Sequence, residues 1–339
     1  MITNAAQIIR EMPKVELHLH LEGAFTFEFL FNLVEKYGGD SDIKSIEDLK
    51  KFFTFTDFSH FLKTWYWKNQ FYKKPEDFED STYHTIKSLA EQNVIYAEVF
   101  FSPWDFEPNL KVEDITEATI SGITKAESEF DIKIGLIADI VRNLGAESSI
   151  NRLTQVVPYL GNGIIGIGLG GDEKGYPARD FKEVFNKAKD VGFRLTAHAG
   201  EADGAESVMD AIQILGAERI GHGVRAIEDE NVIRLIKDKN MPLEICITSN
   251  LCTKIYSSID EHPIRKLFDE DIIVTVNSDD PPMFGSNITD EFLIIFNELN
   301  FSLSEIYRLT LNAVQSAFLK DDEKKYLADT IKKYLTDML

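Results

Sequence analysis

Val15-Glu16-Leu17-His18-Leu19-His20-Leu21 has no helical period and reads as a strand buried on both sides, with histidine as the polar intruder. His18 and His20 are two residues apart, so on a strand both imidazoles point to one face and can chelate one ion. Three further polar signatures stand where a short apolar run ends: His198-Ala199-Gly200-Glu201, Gly221-His222-Gly223 and Ser278-Asp279-Asp280-Pro281. Their coincidence predicts a metal site at the mouth of a parallel barrel.

Eight runs read as strands: residues 15–21, 95–101, 132–140, 163–170, 193–199, 219–224, 242–247 and 272–277. Between most of them lie stretches with helical spacing, such as Phe181, Val184, Phe185 and Ala188. Eight is the number that closes a (β/α)8 barrel, so the expected fold is α/β, a TIM-type barrel. The crossover from Glu22 to Val94 is several times longer than a minimal one, and its middle is dense in Phe, Trp and Tyr. It is expected to be a long helical insertion after the first strand. Most of its rings should form a small satellite core, with two or three lining the cavity. Residues 289–300, 303–318 and 321–339 read as extra C-terminal helices, the second opened by a Ser302-x-x-Glu305 cap. No repeat or linker interrupts the 339 residues, so a single domain, 1–339, is expected.

A formal net charge of −21 disfavours nucleic acid or an anionic membrane as partner and fits a small neutral or cationic substrate. The two cysteines, Cys246 and Cys252, match neither a redox pair nor a zinc knuckle and read as reduced structural thiols. Met1 to Met12 lacks a basic start followed by an apolar run, and no stretch is long enough to span a bilayer, so a cytoplasmic location is expected. The pattern says nothing of oligomeric state.

His18, His20 and His198 supply three nitrogens and Asp279 an oxygen, the donor set of one catalytic zinc, which lowers the pKa of water toward about 7. Asp280 is placed to orient the attacking water, and His222 to orient it or act as base. Glu201, three residues past His198 in an enclosed pocket, is the expected general acid. The Gly166-x-Gly168-x-Gly170-Gly171 run leaves space for a flat ligand, with the Gly171 N–H as donor to a ring nitrogen. His60, His84 and His262 lack evident partners and read as structural.

Taken in order, residues 13–23, the Leu169–Glu173 loop, His198–Glu201, Arg219–Gly223 and Asn277–Pro281 resemble the adenosine deaminase family, which also includes adenine and aminodeoxyfutalosine deaminases. The resemblance implies a zinc-dependent 6-aminopurine aminohydrolase. In it His18, His20, His198 and Asp279 hold zinc, Glu201 protonates purine N1, His222 and Asp280 position the nucleophile at C6, and Gly171, Glu22 and His20 face the substrate. The Leu169–Glu173 loop looks like the nucleoside-type loop, so adenosine or a similar nucleoside is the leading expectation. Glu22 stands where typical adenosine deaminases have Asp and is shared with the adenine and aminodeoxyfutalosine enzymes, which are the alternatives. Another metal-dependent amidohydrolase is more remote. Ile247 replaces the proline usual in the family's C-P-T-S-N stretch.

Overall fold

The computed structural model describes residues 2–338. Eight parallel strands follow one another around a barrel: β1 Lys14–His20, β2 Val94–Phe101, β3 Lys133–Val141, β4 Ile164–Gly170, β5 Arg194–Ala199, β6 Arg219–His222, β7 Leu243–Ile245 and β8 Val274–Val276. Each pairs with the next through its backbone. The seam between β8 and β1 is closed differently, by a Leu19–Asp279 bridge. There the His20 N–H donates to the Asp279 carbonyl at 3.0 Å and the Asp279 N–H to the His18 carbonyl at 3.1 Å. The barrel therefore closes at the segments that carry two of its histidines and both aspartates.

All eight expected strands are present, the last three shorter than expected. Gly223 turns left-handed at φ 67°, which ends β6 at His222. The chain leaves β7 directly into the helix Ile247–Cys252, and beyond β8 it is the Asn277 side chain that accepts from the Leu17 N–H, at 2.9 Å.

Alternation in β1 sends Val15 and Leu17 outward against Ala313, Val314 and Leu327 of the C-terminal helices Leu303–Ser316 and Asp321–Met338. Lys14, Glu16, His18 and His20 take the other face and are buried inside the barrel. The barrel interior is correspondingly ionic where a TIM barrel usually stacks branched apolar layers. Arg219 pairs with Glu98 at 2.5 Å and with Glu244 at 2.5 Å, all three fully buried. The expected Ser302 cap forms, its Oγ accepting from the Glu305 N–H at 3.3 Å.

After an N-terminal helix α1, Ile2–Glu11, the crossover from β1 to β2 carries α2 Phe27–Lys36, α3 Ile46–Phe52, α4 Phe58–Asn69 and α5 Pro75–Glu91. Its aromatics form an apolar cluster of their own, with Phe25, Phe53, Phe55, Phe61 and Trp65 packed toward Phe284 at the barrel mouth. Among the described residues no helix is long and apolar enough to cross a membrane.

Candidate active site

The ligand atoms of His18, His20 and His198 lie within 4.8 Å of one another. The Nε2 atoms of His20 and His198 are 3.1 Å apart, and Asp279 Oδ1 is 3.6 Å from His18 Nε2 and 3.5 Å from His20 Nε2. Ligands held at about 2.0–2.1 Å from one tetrahedral ion sit about 3.4 Å from each other, within the span of these separations. The outer nitrogens are fixed: His18 Nδ1 bonds Glu244 Oε2 at 2.7 Å and His198 Nδ1 bonds the Leu169 carbonyl at 3.1 Å. That places each proton on Nδ1 and turns the Nε2 lone pair inward. His18 Nε2 is buried without a hydrogen-bond partner among the described residues. Burial, reinforced for His18 and His20 by neighbouring histidines, holds both well below the ordinary histidine pKa, and burial holds His198 down to about 4. Three neutral imidazoles and a carboxylate, buried and converging, fit a divalent ion such as zinc.

The loop after β5 is held by Glu173, whose carboxylate accepts the N–H groups of Gly200, Glu201 and Asp203 at 2.5, 3.1 and 2.8 Å. Glu201 is buried on that loop, and burial, then the charges of Asp279 and Glu173, push its pKa well up. His222 Nε2 lies 3.7 Å from Glu201 Oε2 and 3.7 Å from Asp279 Oδ2. The Asn250 amide donates to His222 Nδ1 at 3.1 Å, and Asn250 Oδ1 pairs with His262 Nε2 at 3.1 Å. A donor on Nδ1 leaves the His222 proton on Nε2, facing the cavity. His222 and Asp279 both hold left-handed backbone, at φ 58° and 64°, a strain of about 1–3 kcal/mol each. Gly221 is required by the His18 ring, which a Cβ there would meet at 2.8 Å. Gly23 is likewise required by Asp280, whose carboxylate occupies the space a Cβ would take.

These groups open on a cavity at the strand ends. His20, His198, Glu201, His222, Asp279 and Asp280 form one part of its wall, Gly170, Gly171, Asp139 and Ser102 another, and α4 with Phe284 covers it. Of the insertion's aromatic run, Phe58, Phe61 and Trp65 reach the cavity, joined by Tyr66. Gly171 lines it at φ 99°.

Glu22 sits behind that wall. Its Oε1 accepts from the Ser102 N–H at 2.5 Å, and it shares a buried cluster of charge with Lys68 and Asp105. Lys68 Nζ itself lies 3.6 Å from the centre of the Trp65 ring. The surface presented to a substrate there is Ser102 and Asp105.

Two expectations need correction. His262 is no isolated structural residue, since through Asn250 it reaches His222. Gly168 and Gly170 do not leave space for a ligand, because the Asp139 carboxyl fills it. Cys246 and Cys252 are free, and Cys246 lies beside His18, His222 and Asp279 with its thiol pushed well up by burial. Glu244, Glu173, Asn250 and Asp139 were not foreseen. For Glu244 one signal existed, a lone charge inside the apolar run Leu243-Glu244-Ile245, which must be paired once both faces are buried.

A parallel barrel whose strand ends bring three histidines, two aspartates and a glutamate onto one cavity defines a barrel aminohydrolase. The family model for adenosine deaminase matches residues 13–334, and the chain belongs to that family. An adenine deaminase of Acinetobacter baylyi is 35% identical over 323 residues, spanning 95% of this chain and 97% of the relative. The crystal structure of an adenine deaminase from Arthrobacter aurescens superposes with a TM-score of 0.92 at 31% identity, over 96% of this chain and 99% of that one. An amidohydrolase from Burkholderia ambifaria with bound Zn shares the fold, with a TM-score of 0.91 at 22% identity over 100% of this chain and 95% of that one.

Proposed function

We propose that the chain, as a single hydrolase domain, converts free adenine and water to the 6-oxopurine and ammonia. The observation that carries the reaction class is the convergence of three imidazole nitrogens, the Asp279 carboxylate and Glu201 on one cavity. The choice of base over nucleoside follows the relatives, adenine deaminases at 35% and 31% identity. The nucleoside expected first from the Leu169–Glu173 loop fits these relatives less well than the adenine alternative.

His18, His20, His198 and Asp279 would hold zinc. When bound, that ion supplies a water of lowered pKa and so a nucleophile at neutral pH. Glu201, kept protonated by burial, gives its proton to ring N1 and makes C6 electrophilic. His222, with its proton on Nε2, donates to the attacking oxygen and is not the base. Asp280, whose buried Oδ1 has no partner among the described residues, accepts the proton lost by the water and passes it to the C6 amine, which departs as ammonia as the C–N bond breaks, while the proton left on the new C6 oxygen returns to Glu201. The Gly171 N–H holds a ring nitrogen, and the α4 aromatics cover the flat base and exclude bulk solvent.

Ammonia release from adenine, adenosine, 2′-deoxyadenosine, 5′-methylthioadenosine and aminodeoxyfutalosine tests the reading. The highest kcat/KM is expected for adenine; a clear preference for any nucleoside would overturn it.

A further inference from the structure

Two acidic side chains on the cavity wall, Asp105 and Asp139, have no part in that reaction; Asp105 is already engaged, accepting from the Trp65 indole N–H at 3.0 Å. Asp139, on β3, is 3% exposed and lines the cavity, and its Oδ1 is buried without a hydrogen-bond partner among the described residues. The neighbouring strand is built around it. Asp139 pairs with Gly168 and Val141 with Gly170. A Cβ at Gly168 would lie 2.3 Å from Asp139 Oδ1, and one at Gly170 would lie 2.2 Å from Oδ2. Any side chain at either position displaces the carboxyl. Arg142, a buried cation just beyond the end of β3, directs its guanidinium to the carbonyls of Tyr176 and His198, at 2.5 and 2.7 Å. A carboxyl given room by two glycines and left without a donor is a group waiting for one from the ligand.

We propose that Asp139 accepts the N9–H of free adenine and is the residue that selects the base over its nucleosides. The inference rests on the adenine reading above and gives it a structural cause. The order of the strands sets the order of contacts around the ring. With C6 toward the histidine cluster and N1 at Glu201 beyond β5, the next strand end is Gly171 after β4, and the next is Asp139 on β3. Along the purine edge N1 is followed by C2, N3 and then N9. N3 is an acceptor and suits the Gly171 N–H, whereas N9 of the free base carries a hydrogen and needs an acceptor. A nucleoside has no hydrogen there and brings a sugar carbon against a buried carboxyl. The contact does not require ionisation, because a protonated carboxyl keeps an acceptor oxygen. A site built to hydrogen-bond a substrate N–H can reject the analogue that lacks it by about 10⁴–10⁵-fold, because its buried group is then left unpaired.

The test compares adenine with 9-methyladenine, which lacks the N9–H and has no sugar. The wild-type enzyme should favour adenine by about 10³-fold or more in kcat/KM. Asp139→Leu should lose about 10²-fold or more on adenine and bring the two bases within about tenfold of each other. Asp139→Asn, which keeps an acceptor in the same shape, should retain part of the preference and covers the case in which the leucine variant does not fold. Equal use of the two bases by the wild type would overturn the proposal, as would an unchanged ratio in a folded Asp139 variant. A wild-type enzyme that deaminates adenosine but not adenine would instead overturn the functional reading itself, so the two failures are distinguishable.

Discussion

The two sides of the cavity are built to different rules. Around β5 to β8 and β1, nearly every reacting side chain is held by a second residue: His18 by Glu244, His198 by the Leu169 carbonyl, His222 by Asn250, and the Glu201 loop by Glu173. Ser278, beside the aspartate pair, is held in the same way, donating its N–H to Glu16 at 2.8 Å. Around β3 and β4 the Asp139 carboxyl, on the cavity wall, keeps an oxygen without a partner among the described residues, as the reacting side leaves only at Asp280 among the carboxyls that line the cavity. Chemistry needs fixed tautomers and positions before substrate arrives, so those groups are satisfied internally. Recognition needs unspent hydrogen-bonding capacity, and on the proposal above the ligand completes Asp139.

Breaking the internally satisfied side should cost catalysis, and the largest effect is expected at Glu201, the proposed proton donor. Glu201→Gln is expected to lower kcat by about 10²–10⁴-fold while zinc content stays unchanged, measured by steady-state ammonia release and metal analysis on one preparation. Near-normal turnover would remove Glu201 from the reaction. Because its pKa is raised and the acid form is the one proposed to act, the wild-type rate should fall as pH rises through that elevated value.

Glu244→Gln weakens the partner of His18 without removing a ligand. Chelator competition should show zinc held about 10–100-fold more weakly. Unchanged affinity would leave Glu244 with only its pairing to Arg219.

Asn250→Ala frees His222 to exchange tautomers, so kcat should drop about tenfold with KM little changed. A shift confined to KM would argue that Asn250 shapes the pocket and does not set the proton on His222.

The smallest effect on turnover is expected from Phe53→Ala, in the apolar cluster of the insertion and away from the cavity. It should cost about 3–5 kcal/mol of stability, read by denaturant unfolding, while activity per folded molecule stays within about twofold. A large loss of activity at full folding would mean that this cluster positions the cover over the substrate.

The same contrast explains what could be read from the chain alone. Strands buried on both faces leave a local record, and the apolar runs around His18, His198, His222 and Asp279 were enough to place the eight strands and the cluster at their ends. The boundaries that slipped are those where a left-handed residue or an early helix stops the ladder, as after His222 and Ile245. Partner choice leaves no such record. Nothing near His222 announces Asn250, and His262 joins it only through the fold. The β4 glycines show the harder case. Their spacing was visible, but whether the freed space takes a ligand or a neighbour's carboxyl depends on β3 lying alongside, and the structure gives it to Asp139. Glu22 is similar: its distance from the cavity follows from Ser102 and from Lys68 of α4, far along the chain.

Metal analysis of the purified wild-type protein alongside His198→Ala tests the histidine cluster most directly. About one zinc per chain in the wild type, a large loss in the variant and parallel loss of ammonia release are expected. A wild-type protein that carries no divalent metal and stays active in excess chelator would contradict the assignment of His18, His20, His198 and Asp279 to a single ion.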